Sequence, residues 1–323
     1  MVKEKNKFDS SLNWPIAIFV ILVSCVFIFP PEYLLAKQIS KYAIHWMFIC
    51  LALGIIFMFL NLEKLLYTAF ICCGILASFL LYSYNSSINH APNKNDESIT
   101  VEFINPSLST VVYDSTLSLL KRRNTDIIIL EEITPEWNKL LDTLKEIYPY
   151  SVIINRVDPY GKAVFSKFKL ESIDTFTLFN NPIILVNTNL KNNKKMFITV
   201  VNSLPAITMT DFKKLNNLLN QLSKVLLNLN SSQILAANLN IVPWAKEMRE
   251  FKLNAKLNSS RRDNNDGSFK NNLWNIFNIP KNEIFYSEDL ECSDFDEITD
   301  SNLNPIGLFA RYQFKKQSNN KEN

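Results

Sequence analysis

Two adjacent carboxylates, Glu131 and Glu132, stand where a short apolar run gives way to a helix. The four aliphatic residues at 127–130 predict a strand that is buried on both faces. Thr134 and Pro135 then follow as a helix N-cap and a first helical residue. In α/β folds, the end of a buried strand before a helix is where ligands bind and catalysis occurs. The spacing therefore indicates such a site, with a solvated strand end as the alternative.

This stretch resembles the endonuclease/exonuclease/phosphatase superfamily of metal-dependent phosphoesterases. Members carry a hydrophobic strand, then Gln-Glu-Val or a similar triplet, then Thr-Pro-Glu-Trp. From residue 130 the chain reads Leu-Glu-Glu-Ile-Thr-Pro-Glu-Trp. The resemblance implies that Glu132 holds a catalytic Mg²⁺. Because side chains alternate along a strand, Glu131 is expected to point to the opposite face and to take no part.

Six further motifs extend the resemblance, in the family's order, to residue 306. They are Val-Glu-Phe-Ile-Asn at 101–105, Gly-Lys-Ala-Val-Phe-Ser-Lys-Phe at 161–168, Val-Val-Asn-Ser-Leu-Pro at 200–205, Ala-Ala-Asn-Leu-Asn-Ile-Val-Pro-Trp at 236–244, Ile-Pro-Lys-Asn-Glu-Ile-Phe-Tyr-Ser at 279–287 and Ser-Asn-Leu-Asn-Pro-Ile at 301–306. The fold that this implies is α/β: a four-layer α/β/β/α sandwich of two packed sheets, over residues 99–316.

The departures from the family pattern fall on the chemistry. The resemblance implies metal roles for Glu132, Asn105 and Asn282, and catalytic roles for Asn202, Asn238, Asn240, Asn302 and Leu303. In the family a phosphate-binding His stands at Asn202, Asp stands at Asn238 and Asn282, and an Asp-His pair stands at Asn302 and Leu303. Another register for the closing motif, at residues 293–298, restores an Asp but places Phe295 at the His position.

Histidine content excludes a conventional water-activating base in the domain. The chain has two histidines, His45 and His90, and both precede residue 99. A general base contributes about 10²–10⁴-fold to a rate. One carboxylate among neutral amides also makes a poor Mg²⁺ site, since this cation prefers charged oxygens. Mg²⁺ is thus the cofactor that the family implies, and we expect it not to be bound here.

Three functional interpretations stay open. The favoured one is a membrane-anchored domain that has lost catalysis and serves as a binding or scaffold module. The second is a divergent Mg²⁺-dependent phosphodiesterase, nuclease or phosphatase whose acids have moved, with Glu283, Asp294 or Asp300 as replacements. The third is a degenerating gene product that has no present role. The first is favoured because the prolines and tryptophans of the motifs survive. Asn202 can still donate a hydrogen bond, so a phosphate-bearing ligand is expected as a partner; the sequence indicates no particular protein partner.

Alternating strands and helices are predicted to position these residues. The strands are placed at 99–104, 127–130, 151–155, 163–166, 172–178, 183–189, 196–201, 233–237, 283–287 and 307–314. The helices are placed at 113–122, 137–147, 211–229 and 244–251, and the Asn-rich stretch 254–272 is expected to be a mobile loop. From residue 95 on, 27 basic residues balance 27 acidic ones. This neutrality weighs against nucleic acid as a partner.

Three apolar runs at 14–29, 42–62 and 65–84 precede the domain. A membrane-spanning helix needs about 20 apolar residues. We predict a three-helix anchor over 1–84, a linker over 85–98, the domain over 99–316 and a polar tail over 317–323. Lysines near the span ends give a weak bias, four against three, towards a cytoplasmic N-terminus. The chain is therefore expected in the cell membrane, with the C-terminal domain outside the cytoplasm.

Overall fold

The computed structural model describes residues 10–84, 98–108, 120, 123–190, 194–261, 279–300, 302 and 304–315. Two compact units are present. The first comprises Met1–Tyr84 with Val242–Arg249, and the second Asn85–Ile241 with Glu250–Asn323. The predicted linker up to residue 97, most of the predicted helix at 113–122 and the predicted polar tail lie outside the described residues.

The N-terminal apolar runs form four helices. Their bounds are α1 Ser10–Ile28, α2 Leu34–Ser40, α3 Ala43–Phe59 and α4 Glu63–Tyr84. Among the described residues, one helical segment is long and apolar enough to cross a membrane, Glu63–Ser83, with a mean hydropathy of 2.1. A second qualifies if α2 and α3, bent by 72°, are taken as one broken span.

The prediction of three transmembrane helices is therefore not supported as it was made. The second apolar run, 42–62, forms a helix of only 17 residues, α3, and α2, which precedes this run, joins α3 at a sharp bend. The apolar part of α1, Asn13–Ile28, is also short. At a rise of 1.5 Å per residue, both fall below the roughly 30 Å of a hydrocarbon core.

The second unit contains two six-stranded sheets. Their strands are β1 Ser98–Ile104, β2 Ile127–Glu131, β3 Tyr150–Ile154, β4 Lys162–Ser166, β5 Leu170–Leu178, β6 Asn181–Asn189, β7 Lys195–Asn202, β8 Ser232–Asn238, β9 Leu257–Ser259, β10 Asn282–Ser287, β11 Leu290–Thr299 and β12 Pro305–Phe314. Sheet A has the order β11-β12-β1-β2-β4-β3, and sheet B the order β5-β6-β7-β8-β10-β9. Both sheets are mixed, because β1–β2 and β7–β8 pair in parallel.

The sheets pack face to face around one apolar core. Phe103 and Ile129 of sheet A share this core with Ile198 and Ile234 of sheet B. A second cluster covers the other face of sheet A, where Leu141 and its neighbours pack on Ile128 and Leu130. The predicted doubly buried strand is confirmed, since residues 127–130 are all fully buried. The α/β sandwich of two packed sheets is confirmed as well.

Three helices complete the described elements beyond residue 98. They are α5 Asn138–Lys145, α6 Met209–Asn228 and α7 Lys246–Ala255, and short 3₁₀ turns stand at Pro106–Leu108 and Pro135–Trp137. A capping box between Thr208 and Asp211 fixes the start of α6. The predicted loop at 254–272 is wrong in its first part, which contains the end of α7 and β9; residues 262–278 lie outside the described residues.

Candidate functional site

The strand that carries the two carboxylates ends in a sharp turn. Glu131 is the last residue of β2, and Glu132 follows with a φ of 53°. This left-handed backbone breaks the alternation of side chains that a continued strand would have. Glu131 is fully buried, whereas Glu132 is half-buried. The expectation that Glu131 points away from the site is wrong, because it contacts Asn238, one of the predicted site residues.

The retained metal positions, Asn105 and Glu132, are joined through a serine. Asn105 Oδ1 accepts hydrogen bonds from the backbone N–H of Ser107, at 3.0 Å, and from its hydroxyl, at 2.6 Å. The same hydroxyl lies within hydrogen-bond distance of Glu132 Oε2. A hydroxyl has one hydrogen, so it donates to only one of the two oxygens at a time. Ser107 therefore occupies the position between two oxygens that the resemblance assigns to a metal.

Three asparagines lie side by side across sheet B. Asn202 at the end of β7 is the in-register partner of Asn238 on β8, and Asn238 is the partner of Asn282 on β10. In-register neighbours on adjacent strands project to the same face of a sheet, about 5 Å apart. All three are at least nine-tenths buried. We call these three residues the asparagine row. The fold thus brings together three of the site residues that were predicted from the sequence.

Hydrogen bonds fix how two side chains of the row are turned. Asn202 Nδ2 donates to the carbonyl oxygen of Pro159 at 2.7 Å, and Asn238 Nδ2 donates to Glu131 Oε1 at 2.8 Å. A backbone carbonyl only accepts, so the amide nitrogen of Asn202 must face it. Within the described residues, the Oδ1 atoms of Asn202, Asn238 and Asn282 are buried without a hydrogen-bond partner. The row thus offers acceptor oxygens, and one of the two N–H donors that Asn202 could present to a phosphate is engaged by Pro159.

A buried lysine lies beside Glu131. Lys162 on β4 is the in-register partner of Glu131, and its ammonium group donates to the Pro182 carbonyl at 2.5 Å and, more weakly, to Asn181 Oδ1 at 3.5 Å. The side-chain amide of Asn181 in turn donates to the backbone oxygen of Asn202. Polar contacts therefore run from sheet A through Lys162 to the asparagine row on sheet B.

Burial changes the protonation of both charged groups. Burial of the carboxyl raises the pKa of Glu131 to about 8, while the amide of Asn238 acts in the opposite direction. Burial likewise lowers the pKa of Lys162 to about 7, against the influence of Glu131. Each shift favours the neutral form of its group. The two groups therefore form a pair that carries little net charge, however a proton is shared between them.

The other predicted catalytic positions serve the turns. Asn240 has a φ of 51°, and its Nδ2 donates to the Ser203 carbonyl at 2.7 Å, which ties together the turns after β7 and β8. Asn302 is exposed, and its backbone N–H donates to Asp300 Oδ1 at 2.9 Å. Leu303 lies outside the described residues. Asn302 does not replace the Asp of the pair that the family resemblance implies at 302 and 303, because an amide takes up no proton near neutral pH.

The proposed replacement acids have other partners. Glu283 is fully buried, accepts from the Ser259 hydroxyl at 2.6 Å and pairs with Arg261 at 3.3 Å. It follows Asn282 directly on β10, so its side chain projects to the other face of sheet B. Asp300 accepts backbone N–H groups of its own turn, from Asn302 and Asn304. Asp294 belongs to the edge strand β11, beside a bulge. The alternative closing motif at 293–298 also falls within β11.

Sequence reasoning missed three residues of this site. Regular strand alternation excludes Glu131, and Lys162 is an ordinary second residue of the motif at 161–168. Ser107 lies two residues beyond a motif that was read only as far as Asn105. A lysine at 162 within an otherwise apolar stretch was a usable signal, because lysine is almost never fully buried without partners.

The donor set does not fit a divalent metal. Among the described residues, no group of three or more His, Cys, Asp or Glu side chains could hold a metal ion. The retained oxygens are those of Glu132, Asn105 and Ser107, with the ammonium-bearing Lys162 on the neighbouring strand. Mg²⁺ needs octahedral oxygen ligands and is held by one or two carboxylates together with substrate phosphates. The residues present therefore do not fit the Mg²⁺ ion that the family resemblance implies.

Comparison with known proteins identifies related folds. Residues 104–291 match the model of the Endonuclease/Exonuclease/phosphatase family. A search of the curated proteins finds no match. The human nocturnin catalytic domain with bound sulfate superposes with a TM-score of 0.52 at 16% identity, over 71% of this chain and 97% of that one. An endonuclease/exonuclease/phosphatase family protein from Bacteroides thetaiotaomicron gives 0.51 at 13% identity, over 69% and 100%. Humanized D. rerio TDP2 gives 0.52 at 11%, over 67% and 99%.

Proposed function

This chain belongs to the endonuclease/exonuclease/phosphatase family, and we propose that it is a membrane-anchored binding or scaffold module that has lost phosphoester hydrolysis. The observation that carries the proposal is the asparagine row. At three adjacent, in-register positions, where the family resemblance implies one His and two Asp, the chain has amides. Two of these amides turn their donors towards the protein.

Hydrolysis would need groups that these residues do not supply. A water nucleophile requires a base, and the two histidines of the chain, at 45 and 90, precede the domain. The developing negative charge requires donors or a cation aimed at it. The oxygens of the asparagine row are acceptors, and they would oppose that charge. Binding of a ligand without turnover is the function that remains consistent with this arrangement.

The ligand that we propose carries a phosphate group. The nocturnin structure was solved with sulfate, an anion of the same shape as phosphate. In this chain the acceptor oxygens of Asn202 and Asn238 would face such an anion. We therefore expect inorganic phosphate alone to bind weakly, and a phosphate-bearing ligand to depend on contacts from the rest of its structure. Nucleic acid is disfavoured because the chain from residue 95 on is neutral.

Membrane attachment is part of the same proposal. We propose that the apolar N-terminal helices anchor the chain in the cell membrane by multiple spans, with the domain outside the cytoplasm. The support is the length and mean hydropathy of Glu63–Ser83, the bent pair α2–α3 that could form a second span, and the weak lysine bias. A tethered binding module would concentrate its ligand or partner at the membrane surface.

A turnover assay on the full chain in detergent tests the proposal. Substrates of three kinds, a phosphomonoester, a phosphodiester and single-stranded DNA, are offered with Mg²⁺ or Mn²⁺. We expect no product above the buffer rate. The control is Glu132→Ala, which removes the one partly exposed carboxylate of the site. Metal-dependent turnover in the wild type that disappears in Glu132→Ala would show that the second interpretation, a divergent phosphoesterase, is correct.

A further inference from the structure

The short helix α2, Leu34–Ser40, has one side buried in the protein and one apolar side exposed. Ala36 and Ser40, four residues apart, are buried. Leu35 and Ile39, also four residues apart, are 71% and 45% exposed. Residues at this spacing lie on one face of a helix, so each pair marks one face of α2. An apolar face that points away from the protein needs a partner of matching chemistry.

The surroundings of the exposed face are those of a boundary between lipid and water. Tyr42 follows Ile39 by three positions and, since Lys41 keeps a helical backbone, it lies on the same side as Leu35 and is also exposed. The ammonium group of Lys41 lies 5.0 Å from the centroid of the Tyr42 ring. Tyrosine and lysine beside apolar residues are typical of the headgroup level of a membrane. We define the apolar face of α2 as Leu35, Ile39 and Tyr42.

The buried side of α2 binds a segment from far along the chain, Val242–Arg249, which belongs to the same compact unit. We call it the docking segment. Lys37 Nζ lies 2.5 Å from Glu247 Oε1, and the side chains of both residues are about nine-tenths buried. Trp244 Nε1 donates to the carbonyl oxygen of Ser40 at 2.9 Å. An ion pair and a hydrogen bond thus hold one side of α2, and the apolar face is directed elsewhere.

The docking segment also contacts α4, near the end of the candidate span. The guanidinium group of Arg249 lies 5.1 Å from the ring centroid of Phe79, in the last turns of α4. The helix α2 is therefore placed beside the end of the span Glu63–Ser83, and its axis is bent by 72° from that of α3. A short helix that turns so far from an apolar neighbour, at the end of a span, runs along a membrane surface and not across the membrane.

We propose that the apolar face of α2 inserts into the lipid bilayer at the boundary between headgroups and acyl chains. The ion pair between Lys37 and Glu247 then holds the docking segment at the membrane surface. This segment begins two residues after Asn240, so the chain that leaves the predicted site is fixed there. The inference rests on the proposed membrane attachment and adds the bilayer surface as the partner of α2.

Photo-crosslinking of the full chain in vesicles tests the insertion. The photoreactive residue p-benzoylphenylalanine replaces Leu35 or Ile39, and the vesicles contain phosphatidylethanolamine and phosphatidylglycerol. Exposed Ile71, within the candidate span, is the positive control, and exposed Ile173, on the edge strand β5, is the negative control. After irradiation, mass spectrometry measures the lipid adducts. We expect adduct yields at 35 and 39 within about threefold of that at 71 and at least about tenfold above that at 173.

The controls separate a failure of this inference from a failure of the proposed anchoring. Yields at 35 and 39 as low as at 173, with strong labelling at 71, would overturn the insertion of α2 alone. Weak labelling at 71 as well would overturn the membrane attachment, and the inference with it. Crosslinks from 35 or 39 to a second copy of the chain would also contradict the proposal. If these variants fail to fold, the wild type is labelled with a photoactivatable phospholipid; adducts within residues 34–42 support the proposal, and their absence contradicts it.

Lys37→Met tests the link to the docking segment. Loss of one partner of a buried ion pair leaves the other charge uncompensated, so the segment should open more often. We expect backbone hydrogen exchange in residues 242–249 to accelerate at least about tenfold in vesicles. Lys41→Met, at an exposed lysine next to α2, is the matched control and should leave it unchanged. Glu247→Gln supplies the same test if Lys37→Met fails to fold, and unchanged exchange in both variants would overturn the link.

Discussion

The orientation of Asn202 is the detail that separates ligand binding from catalysis at the residue scale. Its amide nitrogen donates to Pro159, and its oxygen has no partner among the described residues. A histidine in its place would present a proton and, when protonated, a charge to a phosphate. The asparagine keeps a hydrogen bond to the protein and has a second N–H, but it can never carry a positive charge or take up a proton. The substitution therefore preserves local structure while it removes chemistry.

This orientation predicts the effect of Asn202→Asp. The new carboxylate would face the Pro159 carbonyl without a hydrogen to donate, and it would be buried. We expect the free energy of unfolding to fall by about 2–4 kcal/mol, from the lost bond and the desolvated charge. Thermal unfolding of the full chain measures it. Asn217→Asp, at an exposed position in α6, is the matched control and should stay within about 0.5 kcal/mol. Equal effects at the two positions would contradict the assigned orientation.

Glu102 gives a prediction about pH. This carboxyl is fully buried on β1, near Thr125 at 3.3 Å and Arg123 at 3.7 Å. Burial raises its pKa from 4.5 to about 7, and Arg123 and Thr125 oppose that rise. The folded state therefore holds a proton that the unfolded state releases between these values. The stability that protonation of Glu102 contributes to the folded state is complete below pH 4.5 and is lost as the pH rises towards 7.

Glu102→Gln removes this titration. Relative to the wild type, the variant should gain stability as the pH rises through that window, by on the order of 1–3 kcal/mol. Denaturant unfolding at several pH values measures the difference. Glu146→Gln, at an exposed glutamate in the same unit, is the matched control and should track the wild type at every pH. A constant difference between Glu102→Gln and the wild type would show that Glu102 titrates normally in the fold.

The sequence predicted part of the site at this scale. Motif order located Asn202, Asn238 and Asn282, which the chain places in one row. Glu131 was excluded because regular strand alternation was assumed, and the positive φ at Glu132 ends that regularity. The network through Lys162 and Asn181 could not be predicted, because it joins residues on different sheets and depends on the sheet packing.

Among the elements, the strands predicted from apolar runs agree with the structure to within a few residues, as at β2, β4 and β8. The two strands that were not predicted from the sequence are β9 and β11. β11 is an edge strand of sheet A with only four of its ten residues buried, so it carries many polar side chains and a weak alternation. Its pairing with β12, rather than its own pattern, makes it a strand. Short apolar patterns predict central strands well and edge strands poorly.

Gly161 connects two elements of the site. Its carbonyl accepts from the Ile133 backbone N–H at 3.2 Å, which holds the turn after Glu132 against the start of β4. A Cβ at Gly161 would lie 1.8 Å from the Ile133 carbonyl oxygen. We expect Gly161→Ala to lower the free energy of unfolding by more than about 3 kcal/mol, since backbone must move. Gly74→Ala, where a Cβ meets nothing within 4 Å, should be neutral or slightly stabilising. Similar Tm values for both variants would contradict this close approach.

At the scale of the whole molecule, the number of spans decides where the domain lies. One span, α4 alone, places the two ends of the chain on opposite sides of the membrane. Two spans, with α2–α3 as a broken second span, return the chain to the side of its N-terminus. Three spans place the ends on opposite sides again. The helices alone allow each of these counts, because α1 and α3 are both somewhat short.

Three spans with a cytoplasmic N-terminus stay a prediction from the sequence, which requires α1 and α3 to cross as short spans. A span shorter than the hydrocarbon thickness is accommodated by local thinning at a cost of fractions of a kcal/mol per ångström, which α1 and α3 can sustain. Exposed Trp14 and Tyr42 lie at the starts of their apolar runs, as interfacial anchors do. Reporters that are active only in the cytoplasm, fused to either end of the chain, measure the outcome. Signal from the N-terminal fusion alone agrees with one span or with three spans. Deletion of residues 10–28 distinguishes the two: if α1 is a span, the deletion should produce signal from the C-terminal reporter. A C-terminal reporter that is active in the full chain would mean that α1 or the α2–α3 pair does not cross, and the domain would then be cytoplasmic.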